Sequence, residues 1–452
     1  MTRFHTLTAL LSTLLLATLS LPGEGRTDPC GMVPPISVTG GAAPELERTG
    51  AQRTWVMFDQ GVETIALRPG FEGNVEDFGM LIPFPSPPAI RKISDDTFAQ
   101  LEAAIDPPTL EVRIEERRRP RRLSRRSGSF AVPNSEPVED EGALELDVVN
   151  VLSEEAVGMY QVAVLEAGSP RALQLWMTDN GYQYPSGMDA VAQDYVDERW
   201  CFVAVKARVA AESGVAPRPG LREVDPALPA GASFDGFVQG MGFRFRTEEP
   251  VVPMRLSVFN GVDPRNVVYV LTSEAVRIQG VPLSAVVRQV PGKELYRNMI
   301  DPIPVEFEGG KASDLEKHER EQVASSREPG QYSGVARDLI AADLMALRRD
   351  ELALAVESKE KQLLNISEAF GLRGAEIDTL HSEVLAEAVR EQTEAALVDL
   401  KKLHLTVIDG IFPSEVLAAE NLSFGSFVMD KAQNQPRTES IRPSAGSLTF
   451  WR

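Results

Sequence analysis

The spacing of apolar residues changes along this chain, and the change limits the folds that it can adopt. In the first two thirds, short apolar runs flank turn residues. Residues 55–58 and 64–67, for example, lie on either side of Asp59-Gln60-Gly61, which is the pattern of a β-hairpin. From about residue 311 the apolar residues recur at helical spacing, as at Ile377 and Leu380. The sequence therefore predicts an α+β protein, with antiparallel β-hairpins and short helices followed by a C-terminal helical region.

Further patterns divide the chain into six parts. A short helix is expected over residues 95–105, and a second hairpin around Gly168-Ser169-Pro170, between the apolar runs 161–165 and 172–177. Alternating apolar residues predict strands at 243–246 and 254–258. The predicted parts are 1–25 (signal peptide), 26–110 (first part of the α+β domain), 111–142 (charged insertion loop), 143–305 (second part of the α+β domain), 306–404 (helical region) and 405–452 (returning strand and irregular tail).

Residues 1–25 have the features of a secretory signal peptide. Residues 7–21 carry no charge, and small residues suited to cleavage follow at Ser20 and Gly25. An uncleaved N-terminal anchor is the alternative, but the apolar stretch is short for a helix that spans a bilayer. No later stretch approaches ~18 uncharged apolar residues. The sequence therefore predicts export to the periplasm or the extracellular space, with no transmembrane segment after cleavage.

The predicted export affects the interpretation of the two cysteines, Cys30 and Cys201. In an oxidising compartment they can pair and close a long loop, which stabilises a fold by about 4–5 kcal/mol. The alternative is two unpaired thiols, because Cys201 lies in the apolar run 201–205, where burial alone accounts for it. Lipid attachment at Cys30 is not expected, because Pro29 stands where a small residue is required.

Residues 111–142 interrupt the apolar pattern with blocks of charge. An acidic stretch over 135–147 follows a basic one. We expect a solvated insertion loop whose two blocks partly neutralise each other. The alternative is a basic patch for anionic lipid, polysaccharide or an acidic partner. The arginines of this patch are Arg117, Arg118, Arg119, Arg121, Arg122, Arg125 and Arg126.

The charge balance and the scarcity of histidine limit the chemistry of the chain. It has 66 acidic against 46 basic residues and a net charge of −20, which argues against nucleic-acid binding. After the leader only His318, His381 and His404 remain, none at the spacing of a metal-binding pair. No cofactor, metal or catalytic residue is predicted. The alternative is a secreted hydrolase that uses carboxylates or a dispersed Ser/His/Asp site, with His381 or His404 as the base on a predicted helix.

A proline-rich segment follows the first hairpin. Its prolines exclude a helix and favour extended backbone near a sheet edge. One interpretation is an interaction motif, since extended backbone can accept a partner strand. The other is a rigid structural crossing that protects the edge. The candidate interaction residues are Pro83, Phe84, Pro85, Pro87 and Pro88.

Three ordered stretches resemble a known family. The stretches are residues 77–87, residues 181–206 with Gly181-Tyr182 and Trp200, and residues 244–256 with Arg244-Phe245-Arg246. Together they resemble the bacterial family catalogued as domain of unknown function 2330, over about residues 30–278 and more loosely 405–424. The resemblance implies a secreted protein with a Cys-Gly pair soon after the signal, as at Cys30-Gly31. It implies no activity, because none is assigned to the family.

These observations favour a non-enzymatic protein of the envelope or the extracellular space. We expect it to bind or scaffold another component, either an envelope protein or a polysaccharide. The secreted hydrolase remains the alternative.

Overall fold

A computed structural model describes the chain over residues 46–48, 51–68, 71–74, 79–94, 96–115, 149–157, 160–207, 233–234, 240–260, 263, 265–279, 285–348, 361, 387, 389–413, 417, 421–435 and 444–451. The strands in this part are β1 Leu46–Arg48, β2 Gln52–Asp59, β3 Val62–Arg68, β4 Phe71–Asn74, β5 Gly79–Phe84, β6 Ala89–Lys92, β7 Thr109–Glu115, β8 Val149–Val157, β9 Tyr160–Ala167, β10 Cys201–Ala207, β11 Ser233–Phe234, β12 Met241–Arg246, β13 Val251–Val252, β14 Arg265–Thr272, β15 Val276–Gln279, β16 Ala285–Pro291, β17 Val305–Glu308, β18 His404–Ile411, β19 Leu422–Ser426 and β20 Ser444–Trp451. The helices are α1 Thr97–Ile105, α2 Pro170–Asp179, α3 Met188–Asp197, α4 Gly292–Ile300, α5 Lys317–Ser325 and α6 Gly330–Leu347. Residues 389–399 are also helical. None of the helices in this part of the chain combines the length and the apolar composition needed to cross a bilayer.

The hairpin of β2 and β3 forms where the sequence predicts it. Asp59 pairs with Val62 across a two-residue loop of Gln60 and Gly61, whose φ angles are 51° and 75°. Two positive φ angles match the twist of the flanking strands, and Gly61 adopts this conformation without strain. The loop therefore sets the register of the whole hairpin.

Two sheets stack at the centre of the fold. The large sheet has the order β16-β18-β14-β2-β3-β12-β6 and is parallel only between β14 and β2, and the small sheet has the antiparallel order β5-β10-β9-β8. Side chains of β2 alternate between two cores: Val56 packs in the core between the sheets, whereas Trp55 and Met57 pack against helices.

Helices cover the two outer faces of this pair of sheets. Helices α1, α4, α6 and residues 389–399 pack on the large sheet, and α2 and α3 pack on the small sheet. The result is four layers, helix–sheet–sheet–helix, with a buried apolar core between each pair of neighbours. The predicted α+β class is confirmed.

Three-stranded sheets extend the described part of the fold, with the orders β1-β4-β11, β13-β19-β15 and β17-β7-β20. The last is parallel and packs with α5 around Leu110, Val112 and Ile114. Residues 111–115, predicted as the start of the charged loop, are therefore strand, since their charged residues alternate with buried apolar ones. The predicted irregular tail is also wrong over 444–451, which form β20.

The helical region is an insertion between two neighbouring strands. β16 and β18 pair antiparallel, with Pro291 opposite His404, and the Gly292 N–H donates to the Leu403 carbonyl at 2.8 Å. The chain between β16 and β18 therefore leaves the large sheet and returns to it at the same end of these two strands. Within the described residues, the predicted helical region at 306–404 contains α5, α6 and the helical residues 389–399, and its start is strand β17 rather than helix.

Two predicted strands are wrong. Residues 170–179 form α2 rather than the second arm of a hairpin, because the Ser169 hydroxyl accepts from the Ala172 N–H and Pro170 occupies the first turn. Leu173 and Met177 then share the buried side of this helix. Residues 255–260 form a 3₁₀ helix rather than a strand, and the next strand, β14, pairs with β2 and β18.

Candidate functional site

The proline-rich segment carries the chain from one central sheet to the other. β5 ends at Phe84 in the small sheet, and β6 begins at Ala89 in the large sheet. The Phe84 ring lies 5.0 Å from the rings of both Phe243 and Phe245. The segment is therefore a crossing that is packed at its entry into the core between the sheets.

The hydroxyl of Ser86 hydrogen-bonds this crossing to the backbone of the large sheet. Ser86 Oγ donates to the Arg246 carbonyl at 2.8 Å and accepts from the Arg246 N–H at 2.9 Å. Most of the predicted interaction residues face inward: Pro83, Phe84 and Pro88 are buried, Pro85 is half-buried, and Pro87 is exposed. This geometry is that of a structural crossing, and the interaction role of the motif stays a prediction.

A buried carboxyl lies at the same end of the core. Glu63 of β3 is fully buried directly opposite Phe245, and its carboxyl oxygens accept from the Val251 N–H at 3.1 and 3.3 Å. Burial raises the pKa of Glu63 well above its ordinary value, more than the bond from Val251 lowers it. The carboxyl joins the end of β3 to β13. Its position in phase with the core residues Ile65 and Leu67 is a signal that sequence analysis missed.

Cys201 lies opposite Phe84 on β10, and its thiol is 3.5 Å from the Phe84 carbonyl oxygen. Burial raises the pKa of the Cys201 thiol to about 12. Because the thiolate is the reactive form, the raised pKa makes this thiol a poor nucleophile near neutral pH. Cys30 lies outside the described residues, so the disulfide stays a prediction.

The stretches that carry the family resemblance converge on this region. β5 pairs with β10 from Gly79 to Phe84, and Ser86 joins the first stretch to Arg246 in the third. Tyr195 of α3 donates to Asn421 Oδ1 at 2.6 Å, and the Arg255 guanidinium lies over its ring. These contacts join the three stretches in one part of the fold.

The chain matches one family model, described as an uncharacterized protein conserved in bacteria (DUF2330), over residues 38–288. The chain belongs to the DUF2330 family. The predicted resemblance is confirmed: the match begins at residue 38 rather than about 30, ends at 288 rather than about 278, and does not include residues 405–424. No curated protein and no solved structure matches the chain.

The DUF2330 region does not complete its own sheet. β18 lies between β14 and β16 of the large sheet, and β19 lies between β13 and β15. Both strands follow the matched residues in sequence. In this protein, residues 404–411 and 422–426 therefore complete sheets whose other strands lie in or next to the DUF2330 match.

Apolar side chains are exposed at one edge of the small sheet. β8 is the terminal strand, and within the described residues its one strand partner is β9. Val151 is 43% exposed, Leu152 40%, and Leu175 of the adjacent α2 43%. We call these three residues the β8 patch. It lies within the DUF2330 match.

A ligand-sized groove lies elsewhere, between α4, α6 and residues 389–399. Its cavity volume is about 880 Å³, and Ile300, Val389 and Val398 line it together with the charged residues Arg337 and Glu394. All of its lining residues lie outside residues 38–288. The groove is therefore not part of the region that defines the family.

Of the remaining candidates, the structure describes His318 and His404. His318 is exposed on α5, and His404 begins β18 rather than lying on a helix, with Nδ1 3.3 Å from the Ser273 carbonyl oxygen. His381 and the predicted basic patch, Arg117 to Arg126, lie outside the described residues. Among the side chains that are described, no group of three or more His, Cys, Asp or Glu residues is placed to hold a metal ion.

Proposed function

We propose that this DUF2330 protein is exported and acts as a binding or scaffold protein of the cell envelope, with the β8 patch as its contact for a partner protein. The exposed apolar edge of β8 carries the proposal. Soluble proteins protect sheet edges with charge, proline or covering segments, because an open edge pairs with other chains. Here the edge carries the exposed Glu154 and a bulge, but it still exposes two apolar residues, Val151 and Leu152.

The geometry of the patch supports a side-chain contact. Val151 lies opposite Leu165, whose side chain packs on the face covered by α2, so Val151 is on that face as well. A bulge between Val151 and Ser153 interrupts the ladder at Leu152. Leu175 extends the patch onto the helix. Three aliphatic side chains favour a protein partner over a polysaccharide, which takes aromatic and polar contacts.

The state of Cys201 favours binding over nucleophilic catalysis. Its pKa is raised, whereas a catalytic cysteine has a lowered pKa. His404 meets a backbone carbonyl, which is not the serine or carboxylate partner that a hydrolytic site requires. Export itself is supported by the leader-like residues 1–25.

Site-specific photo-crosslinking in the native bacterium tests the proposal. A photoreactive residue at position 152 is compared with one at Lys317, which is 87% exposed on α5. We expect a discrete cross-linked product in the envelope fraction at position 152 and none at 317. Leu175→Glu should reduce that product about tenfold, and Gln193→Glu on α3 should not.

Two results would contradict the proposal. Equal cross-linking at positions 152 and 317 would remove the patch as a specific contact. An uncleaved chain in the cytosolic fraction would remove export.

A further inference from the structure

Two arginines converge on one buried carboxylate at the helix-covered face of the large sheet. Arg91 of β6 and Arg244 of β12 both donate from Nη2 to Asp343 Oδ1, at 2.8 and 2.6 Å. The other carboxylate oxygen accepts from Trp55 Nε1 at 3.1 Å. The Asp343 side chain is 1% exposed, so its charge is held in a fixed place.

The two guanidiniums are pre-organised by the fold. Arg91 lies opposite Gly242, where a Cβ atom would be 3.1 Å from Arg91 Nε, so the glycine leaves room for this side chain. Arg244 is fixed by a bond from Nε to Thr64 Oγ1 at 3.1 Å and one from Nη2 to the Ala342 carbonyl at 3.2 Å.

The cluster retains unused positive charge and unused donors. One carboxylate faces two guanidiniums, which leaves one positive charge. Arg91 Nε and Nη1 and Arg244 Nη1 have no acceptor among the described residues. The side chains are 34% and 29% exposed, so solutes can reach them. Guanidinium groups bind planar or tetrahedral oxyanions through paired N–H donors.

We propose that Arg91 and Arg244 form a binding site for a small oxyanion, a phosphate or carboxylate group, with Asp343 as the fixed counter-charge that orients both arginines. The protein as a whole carries a net charge of −20, which disfavours anion binding in general, so binding here depends on the local excess of positive charge at the two arginines. Asp343 lies outside the DUF2330 match, whereas both arginines lie inside it, so the inserted helices complete the site.

Calorimetric titration of the full-length protein with inorganic phosphate, and separately with acetate, tests the site. We expect a saturable one-site isotherm with at least one of the two anions, and the anion that binds more tightly identifies the ligand group. Arg91→Gln should weaken binding roughly tenfold, which is the contribution of one charge-assisted hydrogen-bonding partner. Arg113→Gln, which removes an exposed arginine that pairs with Glu308, should leave it unchanged.

Arg91→Lys is a second variant that separates weaker binding from unfolding, because it keeps the positive charge and removes the paired N–H donors. We expect an intermediate affinity at an unchanged melting temperature. The proposal is overturned if neither anion gives a saturable isotherm, or if Arg91→Gln and Arg113→Gln bind alike.

Discussion

Glu63 shows how one residue sets a pH dependence for the whole fold. Its carboxyl lies among apolar side chains of the core between the sheets, where the ionised form loses its hydration. The hydrogen bond from the Val251 N–H compensates for only part of the lost hydration free energy. In the unfolded chain the group titrates near its ordinary pKa of 4.5, and in the fold it titrates well above it. The folded state therefore binds this proton more tightly than the unfolded state does.

The sign of the linkage follows from that difference. The stabilisation from the raised pKa is fully present below about pH 4.5 and is lost as the pH rises through the folded pKa. Glu63→Gln keeps an acceptor for the Val251 N–H and cannot ionise. We expect the variant to be more stable than the native protein at pH 8, by about 1–3 kcal/mol, with a smaller difference at pH 5. Urea unfolding at the two pH values measures this.

Glu306→Gln is the matched control, since Glu306 is exposed on β17. Its stability should follow the native protein at both pH values. A Glu63→Gln variant whose stability relative to the native protein is the same at pH 5 and pH 8 would show that the buried carboxyl does not titrate differently in the fold.

At the scale of secondary-structure elements, the inserted helical region begins and ends in contact at one residue, Gly292. A Cβ atom at Gly292 would lie 1.9 Å from the Leu400 carbonyl oxygen and 2.6 Å from that of Leu403. Both obstacles are backbone atoms, so a rotamer change cannot relieve them. The close approach is what lets the Gly292 N–H reach the Leu403 carbonyl where the inserted chain returns.

Gly292→Ala should therefore destabilise the protein by at least about 2 kcal/mol. Gly334→Ala is the control, because its Cβ meets nothing within 4 Å in the interior of α6; it should stabilise by about 0.5–1 kcal/mol. Thermal unfolding of the two variants compares them. Equal melting temperatures would mean that the junction relaxes freely and does not hold the insertion closed.

Elements with a local signal could be predicted from the sequence, and elements set by distant contacts could not. The hairpin at Gln60-Gly61 and the helix before Pro107-Pro108 follow from turn and stop residues. The sequence predicts a strand at α2 because the spacing of Leu173 and Met177 fits both the two-residue period of a strand and the helical period. The helix cap at Ser169 is the local feature that favours the helix. In β20, Leu448 and Phe450 alternate with Thr449 and pack in the core around β7, but the sequence does not show that β7, more than 300 residues earlier, offers a parallel partner.

The candidate sites follow the same division. The phase of Glu63 with Ile65 and Leu67 was available in the sequence. The arginine pair was not, because Asp343 is 252 residues from Arg91 and 99 from Arg244. Only the docking of α6 on the large sheet brings the three together.

For the whole molecule, the order of strands decides which parts can fold. β18 lies inside the large sheet and contributes Leu405 and Val407 to the helix-covered core and Ile408 to the core between the sheets. Without it, β14 and β16 lose their shared partner, and both cores lose apolar contacts. Among the described strands, β20 by contrast pairs with β7 alone, at the periphery.

Two truncations separate these roles. A chain ending at residue 403 should lose cooperative unfolding and the near-ultraviolet circular dichroism of the packed Trp55 and Tyr269, because its central sheet is incomplete. A chain ending at residue 435 retains β18 and β19 and should unfold cooperatively at a lower temperature than the full chain. If the chain ending at 403 unfolds as sharply as the one ending at 435, the residues before β18 form a complete core by themselves. The insertion would then be the end of the folded unit rather than an excursion between two strands of one sheet.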